Sequence, residues 1–313
     1  MKNSLVVIVG PTASGKSNLA LRLAGLIDGE IVSADSRQIY RGMDIGTAKP
    51  TKTEQAGIPH HFVDILDPDE EYSAGTYGKD ARKVIEDIRK RGKTPVMVGG
   101  SGLYLRAAID GLFDGPGKDP ELRGRLEEEE ARVGIDGLLK TLEAVDPATA
   151  AAMKGEPAKR RIIRALEVYY STGQPLSRFH AEQRRESLPI TRYLGLSWER
   201  GTLYNRIGQR VDEMIGKGLV EEARRLRETY DPAINALNTV GYKELMDYLG
   251  GRCSLEEAVN SIKLHTRRFA KRQLTWFKAD RRIQWITVSD EEELEGIAQT
   301  LARESKEKNA KRR

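Results

Sequence analysis

Two hydrophobic rhythms alternate along the first hundred residues. SLVVIVG (4–10), GEIVSAD (29–35) and TPVMVGG (94–100) are short, nearly continuous apolar runs, the pattern of strands covered on both faces. HHFVDIL (60–66) reads as a further strand. Between these runs, KSNLALRLAGLI (16–27) and TYGKDARKVIEDIRKRG (76–92) are amphipathic stretches of helical length, the second ended by glycine. Strands alternating with helices predict a parallel sheet with helices on both sides. The rhythm changes at the breaker cluster GPGKDP (115–120). From Glu121 to about Ser187 the pattern is helical with no strand. Strand signals return at ITRYLGLSW (190–198) and RIQWITV (282–288), separated by helical segments. One of these, 205–226, repeats apolar residues at Ile207, Val211, Met214, Ile215, Leu219, Ala223 and Leu226. The other, 254–277, opens with Ser254 and Glu257 in capping-box spacing.

The fold class expected is α/β: one parallel-sheet core built from both ends of the chain, residues 1–115 and 190–313. An all-helical domain is inserted at 116–189. The charged end ESKEKNAKRR (304–313) is expected to lack order. The N-terminal apolar run leads straight into a glycine loop. It is therefore read as a strand rather than a signal peptide, which would be cleaved through the motif.

Composition narrows the class. With 39% hydrophobic residues and 32% charged residues, a packed core under a highly charged surface is expected. No apolar run reaches the length of a membrane helix. One cysteine, Cys253, excludes an internal disulfide and fits a reducing cytoplasm. His60 and His61, adjacent in an expected strand, point to opposite faces and make a poor metal pair. The net charge of +5 is modest, but its distribution is not. Residues 151–210 hold 12 Lys/Arg against 5 Asp/Glu and residues 263–282 hold 8 against 1, whereas 119–146 hold 4 against 9. The two basic zones suit a polyanion, or equally two solvated helix faces.

The candidate chemistry begins at Gly10, Pro11, Thr12, Ala13, Ser14, Gly15, Lys16 and Ser17, which fit G-x-x-x-x-G-K-[ST] between a strand and a helix. Such a loop turns its amides onto a phosphate chain at a helix N-terminus. Lys16 adds a mobile charge, and the Ser17 hydroxyl is placed for Mg²⁺. An ATP-using small-molecule kinase would also want an acid at the end of a neighbouring strand. The strand ending in Gly99-Gly100-Ser101-Gly102-Leu103-Tyr104 offers none, and Asp64 is flanked by apolar residues. Asp35, at the end of 29–35, lies where ligands bind in open parallel sheets. It could instead cap a following helix. In the segment after it, Gln38 can read a purine edge and Arg37 can bind phosphate or stack. Farther on, Arg160, Arg161 and Arg164 share helical faces, as do Arg267, Arg268, Lys271 and Arg272 near Phe269, Trp276 and Phe277. Basic faces interleaved with aromatics suit RNA. The plain alternative is exposed cations over core aromatics.

In this order and at these distances, GPTASGKS, SADSRQIY, GGSGLY, KRRIIRALEVY, VGYKEL and TRRFAKRQLTWF resemble the bacterial tRNA dimethylallyltransferases, also called isopentenyl-tRNA transferases. The resemblance runs from about Leu5 to Trp285. GPTASGKS alone is common to many proteins; SADSRQIY with TRRFAKRQLTWF is specific. The family implies transfer of a dimethylallyl group from dimethylallyl diphosphate to the exocyclic amine of an adenosine. That adenosine is 3′-adjacent to the anticodon, in tRNAs reading codons that begin with U. It further implies a P-loop NTPase-like core, a Mg²⁺ requirement, an inserted helical domain touching the anticodon stem-loop, and Asp35 as general base. Ser36, Arg37 and Gln38 are implied tRNA contacts, and Ser101 lies near the reacting amine. Family members commonly carry Thr at that position, and Ser keeps the hydroxyl. Arg123, Lys159, Arg160, Arg161, Ile162 and Ile163 match further tRNA contacts. The expectation is a monomeric cytoplasmic enzyme with no membrane association. A small-molecule kinase using ATP and a non-catalytic RNA-binding protein remain the competing readings.

Overall fold

The structure is a computed structural model describing residues 5–155, 157–183 and 187–310, with no side chains described for 306–310. Ser4 of the first expected strand, and Glu156 and residues 184–186 of the expected helical stretch, lie outside the described residues. The chain divides into two compact units, Met1–Asp110 with Ser187–Arg313, and Gly111–Glu186.

The larger unit begins β1 (Val6–Val9), α1 (Lys16–Leu26), β2 (Gly29–Ser33), α2 (Lys52–Gly57), β3 (His60–His61), α3 (Ala74–Lys90), β4 (Thr94–Gly99) and α4 (Gly102–Asp110). The smaller unit carries α5 (Pro120–Val145), α6 (Pro147–Ala151), α7 (Lys159–Thr172) and α8 (Leu176–Glu182). The larger unit resumes with β5 (Arg192–Ser197), α9 (Arg200–Gly216), α10 (Leu219–Thr229), α11 (Tyr242–Leu249), α12 (Leu255–Lys278), β6 (Gln284–Thr287) and α13 (Glu293–Ala310).

The six strands form one sheet in the order β3-β2-β4-β1-β5-β6, with every pair parallel. Both faces are buried. Val7 and Val9 of β1 point into one apolar cluster with α3, α4, α10 and α11, and Val6 and Ile8 point into another with α1 and α13. This two-sided burial is why the strands read as unbroken apolar runs rather than alternating ones. Chain order and spatial order part company around β4, which lies between β1 and β2. The loops after β1, β2 and β4 therefore open together at the carboxyl edge, where such sheets bind ligands.

Three expectations need correction. The strand expected over 60–66 is only His60–His61, because Phe62 (φ 63°) and Asp64 (φ 56°) take left-handed backbone that a strand cannot hold. The helix expected over 205–226 is two, α9 and α10, broken at Gly218 (φ 97°), which a right-handed helix cannot accommodate. The apolar period survives the break because Val211, Met214 and Ile215 before it and Leu219, Ala223 and Leu226 after it pack into the same core. The charged end is helical through Ala310, since Leu294, Ala298, Leu301 and Ala302 anchor α13 in the core; residues 311–313 lie outside the described residues.

In the smaller unit, Leu122, Leu126, Leu138, Leu142, Ile162, Ile163 and Leu166 make a separate core. α5 kinks at Gly134 (φ 74°, ψ 171°). Beside that core, the fully buried Glu167 carboxylate accepts from Arg123 Nε at 2.7 Å, Arg123 at 2.9 Å, Arg164 at 2.6 Å and the Asp119 amide at 2.9 Å. Burial alone would raise its pKa, but these donors hold it at about 2.

Candidate active site

The phosphate loop follows β1 and ends where α1 starts. Ala13 (φ 62°) and Gly15 (φ 82°) both take left-handed backbone, which turns successive amides to one side. The loop is braced from behind. Trp198 donates its indole N–H to the Ser14 carbonyl at 3.0 Å, and Arg206 donates to the Ala13 carbonyl at 3.0 Å while lying 4.1 Å over the Trp198 ring. Lys16 reaches the Pro11 carbonyl at 3.3 Å. Burial, and the Arg210 guanidinium next to it, depress its pKa to about 8, against an opposing pull from Asp35. Arg210 is itself lowered by burial, with Asp35 pulling it back. Lys16, Asp35 and Arg210, each partly buried, thus act on one another electrostatically beside the loop. Arg210 also borders a cavity of about 830 Å³ between the 41–52 segment and α9, shared with Ile45, Met214 and Lys217.

The loops after β2 and β4 meet at close range. A Cβ on Gly99 would stand 2.1 Å from the Ala34 carbonyl oxygen, so only glycine permits this approach. The Ser101 amide donates to the Ala34 carbonyl at 3.1 Å, and the Ser101 hydroxyl accepts from the Ser36 amide at 3.0 Å. No helix follows Asp35 for it to cap. Its carboxylate accepts instead from the Arg37 amide at 2.9 Å, closing a local turn. Arg37 donates to the Asn235 carbonyl at 2.9 Å. Gln38 is engaged on both sides, accepting from the Ser33 hydroxyl at 3.1 Å and donating to the Thr47 and Ala48 carbonyls at 3.3 and 3.2 Å. Reading a base edge would require Gln38 to exchange these bonds.

The structure thus brings Gly10–Ser17, Asp35, Ser36 and Ser101 to one edge of the sheet. Arg123 and residues 159–163 belong to the smaller unit. Lys159, Arg160 and Arg161 are exposed there, with Lys159 paired to Glu130. Ile162 and Ile163 are buried in that unit's core, so their side chains are spent on packing and offer no surface for RNA. Arg123 is clamped by Glu167. Asp64 is no free carboxylate either. Burial would raise its pKa, but hydrogen bonds from Lys49 and Lys52 hold it below the usual range. On α12, Phe277 is core, whereas Arg268, Lys271, Arg272, Thr275 and a half-exposed Trp276 line a surface hollow of about 470 Å³.

Three residues escaped the sequence reading. Arg210 looked like one more cation on an amphipathic helix. Gln273 sat inside a run of cations, although Ala270, Gln273 and Phe277 at i, i+3 and i+7 mark a buried face. Glu222 looked like surface charge in VEEARR. Its carboxylate is buried and accepts from the amides of Asp44, Ile45 and Gly46 at 2.9–3.1 Å and from the Tyr242 hydroxyl at 2.6 Å.

Fold and site together define a phosphate-loop α/β protein with an acid and a hydroxyl facing the loop. Residues 38–280 match the IPP transferase family. The chain is 47% identical over 305 residues to the tRNA dimethylallyltransferase of Pelotomaculum thermopropionicum, covering 96% of each chain. It is 49% identical over 288 residues to that of Geobacter sulfurreducens, covering 91% of this chain and 92% of the relative. Among solved structures it is similar to the tRNA isopentenylpyrophosphate transferase of Bacillus halodurans, with 39% identity, 99% of each chain covered and a TM-score of 0.70. It also resembles a eukaryotic dimethylallyltransferase acting on tRNA, with 30% identity, 92% of this chain and 74% of the other covered, and a TM-score of 0.79. The chain belongs to the IPP transferase family. It is an enzyme of the prenyltransferase class, and the alternative of a small-molecule kinase finds no support among these relatives. No helix among the described residues is long and apolar enough to cross a membrane.

Proposed function

We propose that this tRNA dimethylallyltransferase uses dimethylallyl diphosphate as donor and an unpaired adenosine of the anticodon loop, 3′-adjacent to the anticodon, as acceptor. The observation that carries the reading is the cluster of Lys16, Arg210 and Asp35 beside the phosphate loop, with Ser101 across from it. The exocyclic amine attacks the first carbon of the allylic chain, the carbon–oxygen bond breaks, and pyrophosphate leaves. Charge grows on the leaving group, where loop amides, Lys16 and Arg210 stabilise it. The attacked nitrogen becomes acidic and gives its proton to the Asp35 carboxylate. Ser101 holds the Asp35–Ser36 turn in place and offers a hydroxyl to the amine. A weak nucleophile needs such positioning most. The base must leave its stack to reach these groups.

Mg²⁺ fits the residues present. Among the described residues no cluster of three or more acids, histidines or cysteines could cage a metal. The loop nonetheless offers Ser17 on the first turn of α1, and a buried Ser14 hydroxyl without a partner. An ion that prefers phosphate oxygens and water with few protein ligands suits that set. When bound, it would supply further charge neutralisation to the leaving diphosphate. For the RNA, the exposed α12 face and Lys159, Arg160 and Arg161 supply phosphate-binding cations.

The test mixes purified protein, radiolabelled dimethylallyl diphosphate and unmodified tRNA. Label enters tRNA at the adenosine next to the anticodon. Label passing from ATP to a small acceptor, with none reaching tRNA, would overturn the proposal, as would tRNA binding without turnover.

A further inference from the structure

We propose that Gln273 is a positioning residue that locks the phosphate loop to the loop carrying Ser101, so that donor and acceptor sites assemble as one unit. Its side chain comes from α12, is 6% exposed, and spans the gap between the two loops. Gln273 Oε1 accepts from the Thr12 amide at 2.8 Å, and Nε2 donates to the Gly100 carbonyl at 3.0 Å. The partners dictate the orientation of the amide, since Thr12 offers only a donor and Gly100 only an acceptor. A carboxamide is the neutral side chain of this length that supplies both. Glutamate would lose the donor and set a charge against the diphosphate. Methionine has the length and neither group.

Gly100 supports the assignment independently. A Cβ built there would stand 2.2 Å from Gln273 Nε2 and 3.8 Å from Lys16 Cε. A side chain at position 100 would therefore displace the Gln273 carboxamide from its bonds and stand in van der Waals contact with Lys16. On the outer side of the same helix, Lys271, Arg272, Thr275 and Trp276 form the exposed basic face. RNA docked there bears on the helix whose inner side holds both loops. Binding of acceptor and binding of donor should consequently strengthen each other, and by linkage equally.

This inference rests on the phosphate loop being the diphosphate site. Four proteins are compared: wild type, Gln273→Met, Gln273→Glu and Gly100→Ala, with the thermal transition of each recorded and all binding measured well below it. Pyrophosphate with Mg²⁺ is titrated by calorimetry with and without unmodified tRNA, and single-turnover transfer is timed at saturating substrates. In wild type, tRNA tightens pyrophosphate binding by about 5- to 150-fold. In Gln273→Met and Gly100→Ala the two ligands still bind singly, the mutual tightening disappears, and the single-turnover rate falls about 10- to 30-fold, the worth of two modest hydrogen bonds. Gln273→Glu weakens pyrophosphate binding as well. A structural role alone would shift the thermal transition and leave the coupling intact. Coupling absent in wild type, or retained in Gln273→Met, overturns the clip. Wild type that binds no pyrophosphate at all overturns the donor-site reading itself, which the titration without tRNA reveals separately.

Discussion

The hydroxyl of Ser101 accepts a hydrogen bond from the amide of Ser36 at 3.0 Å, tying the end of β4 to the turn that presents Asp35. The two residues are 65 positions apart, and the contact exists only because β2 and β4 are neighbours in the sheet. Ser101→Ala should lower single-turnover transfer about tenfold, the cost of one hydrogen bond near the reacting centre. Ser101→Thr keeps the hydroxyl and should retain most of the rate. Equal activity of the alanine variant in a rapid-quench assay would deny the contact any role.

Asp35 has two jobs that can be separated. Its carboxylate closes the turn through the Arg37 amide and is the proposed proton acceptor. Asparagine can accept the same amide but cannot take the proton. Asp35→Asn should therefore leave tRNA affinity near normal while turnover falls about 10²–10⁴-fold, as does Asp35→Ala. An active Asp35→Asn enzyme would show that the residue serves the turn alone.

The depressed Lys16 gives a pH signature. Its ammonium form, the proposed partner of the diphosphate, persists below a pKa of about 8 and is lost above it. The kcat/KM for the donor, which reports the free enzyme, should be level on the acid side of that value and fall as pH rises through it. Arg210 contributes to the depression by repulsion. Arg210→Met should lower kcat/KM overall yet move the fall to higher pH; an unmoved inflection in the pH–rate profile would contradict the pairing.

Glu222 gathers three consecutive amides of the 44–46 loop and the Tyr242 hydroxyl. The same loop supplies the carbonyls that hold Gln38. Glu222→Ala strands these donors and should cost about 2–4 kcal/mol of stability. Glu222→Gln should cost less, since it keeps an acceptor. Denaturant unfolding monitored by tryptophan fluorescence measures both.

Glu167 ties stability to acid. Its folded pKa, about 2, lies below the unfolded value of 4.5, so the stabilisation is complete above 4.5 and is lost as pH falls from there toward 2. Its worth is about 3 kcal/mol. Glu167→Gln should remove most of that difference and flatten the pH dependence of the full chain's unfolding between those limits; an unchanged slope would exclude the linkage.

Much of the site was legible in advance because local chemistry specified it. The phosphate-loop spacing, the apolar run before it and the amphipathic stretch after it are properties of one short segment. Asp35 and Ser101 could be picked out because each ends a recognisable strand. What escaped was settled at long range. Gln273, Glu222 and Arg210 are polar residues on helices, and nothing in their immediate neighbours distinguishes a buried partner from a solvated charge. Ile162 and Ile163, implied as RNA contacts by the family resemblance, have side chains buried in the smaller unit's core, whereas Lys159, Arg160 and Arg161, in the first turn of the same helix, are exposed, a distinction only long-range packing makes.

By itself, then, the sequence determined the alternation of buried strands and amphipathic helices, the phosphate loop and the specific motifs of its family. These depend on periodicity and backbone chemistry within a few residues. Only the tertiary structure decided the order β3-β2-β4-β1-β5-β6, the meeting of Ser36 with Ser101, and the reach of Gln273 across two loops. Hydrogen bonds and charge pairs act over a few ångströms. Residues far apart in the chain can take part in them only after the sheet has chosen its neighbours.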